Sequence, residues 1–146
     1  MTDSRTAPYA ALLLRVSLGV MFLAHSLILK LGVFGLAGTI GFFESLGLPA
    51  ITAYLTIFAE VTGGVLLLLG VQTRLVSLAV LPVLLGAAWA HSGNGWVFSG
   101  QGGGWEYPVF LVILALVQAL LGDGALALRL RLPLLPSWLQ GSAAAA

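Results

Sequence analysis

Residues 50–74 read AITAYLTIFAEVTGGVLLLLGVQTR, an apolar run that opens after Pro49, carries one carboxylate at Glu60 and stops at Gly70. About 20 apolar residues at 1.5 Å each span a hydrocarbon core of roughly 30 Å. Proline suits the first turn of a helix, so Pro49 marks the start and the segment reads as a transmembrane helix over 50–70. Only Val71, Gln72 and Thr73 then precede Arg74 and the next apolar run. So short a link makes a tight antiparallel hairpin with a helix over 74–91.

The same reading extends outward. Residues 9–30 form an apolar stretch too long for a signal-peptide core, with no clean small-x-small cleavage site after it, and read as a retained first transmembrane helix. Ser92 to Trp105 is rich in Gly, Ser, Asn and Trp and reads as an extramembrane loop, with Trp89, Trp96 and Trp105 near an interface. A fourth helix covers 106–122, with Pro108 in its first turn where a missing N–H costs little. Between the first two spans, residues 32–48 are apolar but broken by Gly35, Gly38, Gly41 and Glu44, which fits an interfacial or re-entrant half-helix. The fold expected is an all-α membrane protein: one antiparallel bundle of four transmembrane helices over 1–130, and a C-terminal tail over 131–146.

Composition agrees. Of the 146 residues 60% are hydrophobic and 8% charged, and the mean hydropathy is +1.08, beyond what a soluble domain needs. A net charge of +1 leaves no basic footprint for nucleic acid. The absence of cysteine excludes disulfides, thiolate metal sites and thiol shuttles, so redox chemistry here has to be borrowed from a cofactor. Arg5, Arg74, Arg129 and Arg131 fall on one side of the spans and Lys30 on the other. The positive-inside rule then puts both termini in the cytoplasm.

Ionisable side chains at membrane depth are costly and mark sites or pathways. Helical phase gives each span one polar edge: Arg15, Gly19, Phe22 and Ser26 with His25 on the flank; Thr52, Thr56, Glu60 and Gly63/Gly64; Ser77 to His91; and Tyr107 to Gln118. Counted from the segment ends, Glu60 lies roughly 15 Å deep with Arg15 about 6 Å further in, a gap that an arginine side chain bridges. An Arg15–Glu60 ion pair is therefore expected, as a structural clasp or as part of a site. His25, His91 and Glu106 form an outer layer, and imidazole is suited to proton transfer near neutral pH. These residues are of metal-ligand type, but no close-spaced motif such as HExxH occurs and no metal is expected. Gly100 to Gly104 lacks the Lys-Ser/Thr of a phosphate loop.

Leu14-Arg15-Val16 with Gly19, His25 and Lys30, Pro49, Glu60-Val-Thr-Gly-Gly64 running to Gly70, Thr73-Arg74, His91, Glu106-Tyr107 and Gly122-Asp123-Gly124 together resemble the DoxX family of small four-helix bacterial inner-membrane proteins. The resemblance covers about residues 10–130. It implies a multi-pass protein of the cell inner membrane linked to respiratory, quinone-coupled or oxidative-stress systems. The first expectation is a membrane subunit, with an oxidoreductase role where it is enzymatic, that binds a quinone or similar small molecule. Glu60 and His25 would move protons there, and Arg15, Gln118, His91, Glu106 and Tyr107 would contact the ligand. The alternatives are a non-enzymatic scaffold for a redox or stress-response partner protein, and a small-solute or proton pathway built by a homo-oligomer.

Overall fold

The computed structural model describes residues 3–128 together with Pro136 and Leu139. Arg129, Arg131, Pro133 and Trp138 of the tail lie outside the described residues. Six α-helices follow one another: α1 (Ala7–Leu23), α2 (Gly35–Ser45), α3 (Ile51–Leu69), α4 (Thr73–Ala79), α5 (Leu81–His91) and α6 (Glu106–Leu121). Among the described residues there are no strands. Three continuous helical stretches, Ala7–Val33, Ile51–Leu69 and Thr73–Asn94, are long and apolar enough to cross a membrane, and α6 is a shorter apolar helix of 16 residues. The architecture is a helical membrane bundle, with α2 as the short segment between the first two spans.

Two of these stretches differ from regular helices. Beyond Leu23, α1 runs on without a break but winds wider, as a π-helix over Ala24–Val33, closed by Phe34 N–H donating to Leu29 O at 2.8 Å. Such winding is rare and concentrates at functional sites. The expected helix over 74–91 lies within the continuous stretch Thr73–Asn94, but it carries one irregular turn at Val80, where α4 passes into α5. Pro82 explains the irregularity: it has no N–H to donate back along the helix, and its ring crowds the preceding turn.

Between α3 and α4 the chain turns within Gly70–Gln72, both residues in the left-handed region with φ of 69° and 49°. This is the tight antiparallel link that the sequence predicts.

The register of α1 on α3 is set by glycine. A side-chain carbon at Gly19 would stand 2.9 Å from Gly64 O, and one at Gly64 would stand 3.0 Å from Gly19 O and 2.9 Å from Leu23 Cγ. The two backbones therefore touch, as small residues permit between membrane helices. Gly64→Val forces them apart, and the expected loss is about 1–3 kcal/mol, read as a lower midpoint of unfolding in detergent. Leu18, Phe22, Leu67, Val76, Val80, Leu84, Leu111 and Ala115 fill the middle of the bundle. That apolar plug separates two polar regions.

Candidate functional site

At the end holding the N-terminus, Arg15 is 1% exposed. Its Nη1 donates to Leu67 O (2.9 Å) and Leu68 O (2.7 Å), and its Nη2 to Ala125 O (2.8 Å) and Leu126 O (3.0 Å). Leu67 and Leu68 lie in the last turn of α3, where carbonyls lack helical partners and the helix dipole is negative. Asp123, itself buried, is the acidic neighbour of Arg15 and accepts from Thr73 N–H at 3.0 Å. Arg74 Nη1 donates to Ala119 O at 3.1 Å, and Gln118 Nε2 to Gly122 O at 2.7 Å. This layer fastens the middle of α1 to the end of α3, and the start of α4 to the end of α6.

The expected Arg15–Glu60 pair is not formed. Glu60 is paired with Lys30, whose Nζ lies 2.8 Å from both carboxylate oxygens. The Ser26 hydroxyl donates to Oε2 at 2.5 Å. The reason is register. With Gly19 against Gly64, Arg15 is level with Leu67 and Leu68, while Glu60 faces Ser26 and Lys30. Arg15 and Ser26 are 11 residues apart on one continuous helix, roughly 16 Å at 1.5 Å per residue, and no side chain bridges that. Among the described residues Lys30–Glu60 is the one salt bridge, at 18% and 7% side-chain exposure, so each charge offsets the cost of burying the other.

Around this pair, in the half of the bundle away from the N-terminus, lies a cavity of about 670 Å³. Its walls come from the widened part of α1 (His25, Leu29, Lys30), from α2 (Gly38, Thr39, Phe42, Phe43), from α3 (Thr52, Thr56, Glu60), from α5 (Pro82 to His91) and from the start of α6 (Tyr107, Pro108, Leu111). Thr39 on α2 donates to Lys30 O at 2.8 Å and pins that short helix over the widened turn. The His25 ring stacks on Tyr107, with centroids 6.1 Å apart and planes inclined by 19°. Its Nδ1 lies 3.0 Å from Met21 O. His91 Nδ1 lies 3.1 Å from both Gly102 O and Gly103 O, which holds the glycine-rich loop against the end of α5.

Of the residues picked from sequence, then, Glu60, His25, His91 and Tyr107 line one cavity. Arg15 and Gln118 belong to the separate layer at the other end. Glu106 lies beside the cavity: its Oε1 accepts from Phe98 N–H at 3.0 Å, and with Trp96, Tyr107 and Phe110 it lines a smaller cleft of about 340 Å³. Sequence reasoning assigned no site role to Lys30, Ser26, Thr39 or Asp123. For Lys30 and Ser26 the signal was present, since they are four residues apart and close to His25. Thr39 gave none, lying in a segment without clear phase, and Asp123 was marked only as part of the Gly122-Asp123-Gly124 motif that carries the family resemblance. Among the described residues no group of three or more His, Asp or Glu side chains gathers as a metal site.

Comparison with known proteins adds to this geometry. A Bacillus subtilis (strain 168) protein named "Putative oxidoreductase CatD" is 44% identical over 77 residues, covering 52% of this chain and 54% of the relative. The chain thus aligns with about half of that protein's length. No solved structure matches. A family model described as DoxX matches residues 10–93, which take in Arg15, Ser26, Lys30, Glu60 and His91 and stop before Tyr107, Gln118 and Asp123. With more than half of its length matched, including both members of the buried ion pair, this membrane chain belongs to the DoxX family.

Proposed function

We propose that the protein is a membrane subunit or accessory of a respiratory or redox system and holds a quinone-like molecule in the cavity beside Lys30 and Glu60. One observation carries the reading: a space of about 670 Å³ with mostly apolar, partly aromatic walls surrounds one buried ion pair and a few other polar side chains. Small-molecule sites have volumes of a few hundred Å³ or more, mostly apolar linings and few polar anchors. Phe22, Phe42, Phe43 and Trp89 supply flat apolar surface for a ring. Lys30 and Tyr107 offer protons to ring oxygens, and Glu60 and His25 are the groups placed to hold or pass a proton. A quinone would supply the two-electron chemistry, which this cysteine-free chain lacks, and electrons would be exchanged with a partner protein. Arg15 and Gln118 serve the site from a distance by fixing the helix ends. The name of the Bacillus subtilis relative, "Putative oxidoreductase CatD", points the same way.

The reading includes an inner-membrane location with both termini in the cytoplasm and the cavity in the outer half. Lys30 is held by Glu60 inside the bundle, and among the described residues no other Lys or Arg stands at the outer end, in keeping with the charge asymmetry.

Gly86 provides the test. It lines the cavity, and a side-chain carbon built there meets nothing within 4 Å. Gly86→Phe should fill the space without touching the ion pair. Native mass spectrometry with lipid extraction is expected to find a stoichiometric quinone in the wild-type protein and none in Gly86→Phe. Thermal stability should be kept or raised, because glycine inside a helix costs about 1 kcal/mol relative to a good helix former. A wild-type protein that purifies without any bound quinone, and takes none up from quinone-doped lipid, would sink the reading.

A further inference from the structure

The two imidazoles of the cavity have the same hydrogen-bonding polarity. His25 Nδ1 sits on Met21 O, and His91 Nδ1 sits on Gly102 O and Gly103 O. A carbonyl oxygen only accepts. In each neutral ring Nδ1 therefore carries the proton and Nε2 carries a lone pair. Asn94 Nδ2 also approaches His91 Nδ1, but at 3.5 Å, and it donates to Gly102 O at 2.9 Å. Neither Nε2 has a protein partner among the described residues, and neither is among the buried atoms sealed from open space.

Most other polar groups around the cavity are already engaged. Both oxygens of Glu60 receive protons from Lys30 and one also from Ser26. The hydroxyls of Thr39 and Thr52 donate to Lys30 O and Pro49 O. The third ammonium proton of Lys30 and the hydroxyls of Tyr107 and Thr56 are left as donors to oxygen lone pairs, which a quinone and its reduced form both carry. They do not discriminate between the two. The lone pairs on the imidazoles do.

We infer that the cavity takes the reduced, dihydroxy form of the ring, a hydroquinone, in preference to the quinone, with a ring hydroxyl donating to His25 Nε2 and His91 Nε2 as the second acceptor. This rests on the quinone-type reading of the cavity. A hydroquinone brings the O–H groups that the imidazoles lack. A quinone sets carbonyl lone pairs against imidazole lone pairs and leaves the acceptors unmet, and sites built to bond a hydroxyl reject the analogue without it. The stack of His25 on Tyr107 holds the acceptor in one plane, so the preference is fixed before the ligand enters.

The test is anaerobic calorimetric titration of the full chain in lipid nanodiscs with a short-tailed benzoquinone and with its hydroquinone. The wild-type protein is expected to bind the hydroquinone at least about tenfold more tightly, the cost of roughly one unmet hydrogen bond. His25→Phe keeps a ring to stack on Tyr107 but has no Nε2. It should lower the hydroquinone affinity about tenfold and so erase most of the preference over the quinone, while an unchanged circular dichroism spectrum and unfolding midpoint report that the variant is folded. Equal affinities in the wild-type protein, or tighter quinone binding, overturn the inference while the cavity's quinone reading stands. Failure of both forms to bind overturns the two together.

Discussion

Arg15→Leu is expected to remove about 3–5 kcal/mol of stability, the scale on which a buried charge network fails when one member is deleted. The side chain is almost wholly enclosed, and its four hydrogen bonds join three separate pieces of chain: α1, the last turn of α3, and the turn at Ala125–Leu126 after α6. Leucine fills a similar volume near the backbone but donates nothing. The carbonyls of Leu67, Leu68, Ala125 and Leu126 lose their donor, and Asp123 loses the cation beside it. Arg15→Lys should recover only part, because an ammonium is a compact point charge without the planar fork that spans two pairs of carbonyls. Adding Asp123→Asn to Arg15→Leu should cost less than the two single changes combined, since the second change removes a charge that the first has orphaned. Unfolding by denaturing detergent, followed by circular dichroism, measures all four. An Arg15→Leu protein within about 1 kcal/mol of wild type would show that the network is dispensable.

The contrast between Arg15 and Glu60 also shows where sequence reading reached its limit. The helices were legible because hydropathy, Pro49, the Gly70 turn and the glycine- and tryptophan-rich loop all punctuate the chain where the bundle needs ends. Phase was legible too: Glu60, Ser26 and Gly64 face inward as the stripes require. Relative depth was not. Counting from segment ends assumes that neighbouring helices start level, whereas helical winding after α1 continues to Val33 and the α1–α3 register is fixed by the Gly19–Gly64 contact. Matching those small residues first would have set Arg15 beside Leu68 and brought Glu60 toward Ser26. The widened winding over Ala24–Val33 leaves no mark in the residue pattern. The irregular turn at Val80 was written in Pro82, but a continuous apolar run concealed it. Asp123 is inaccessible to reasoning from one segment at a time, since its burial comes from chain returning across α1 and α4.

Glu60→Gln is the change expected to cost most in function. Glutamine keeps the shape of glutamate but loses the charge, and it turns one of the two acceptor oxygens into a donor facing Lys30 and Ser26, which are themselves donors. The Lys30 ammonium is left without its counter-charge among apolar helices. Lys30 keeps some exposure, 18% at its side chain, so the loss of stability should be smaller than for Arg15→Leu, about 2 kcal/mol after allowing for screening. The larger effect falls on the ligand: occupancy by a co-purifying quinone should drop at least about tenfold, since the polar anchor of the cavity is broken. A role for the pair in stability has to be separated from a role in binding, and the double variant Lys30→Met/Glu60→Met does so. Replacing a buried ion pair by apolar side chains of similar size is often neutral for folding, so the double variant should regain most of the stability that either single change loses. If the pair anchors the ligand, the stable double variant will still purify empty. A stable double variant that retains the ligand would reduce Lys30–Glu60 to a clasp between α1 and α3, and would move the anchor to His25 and Tyr107.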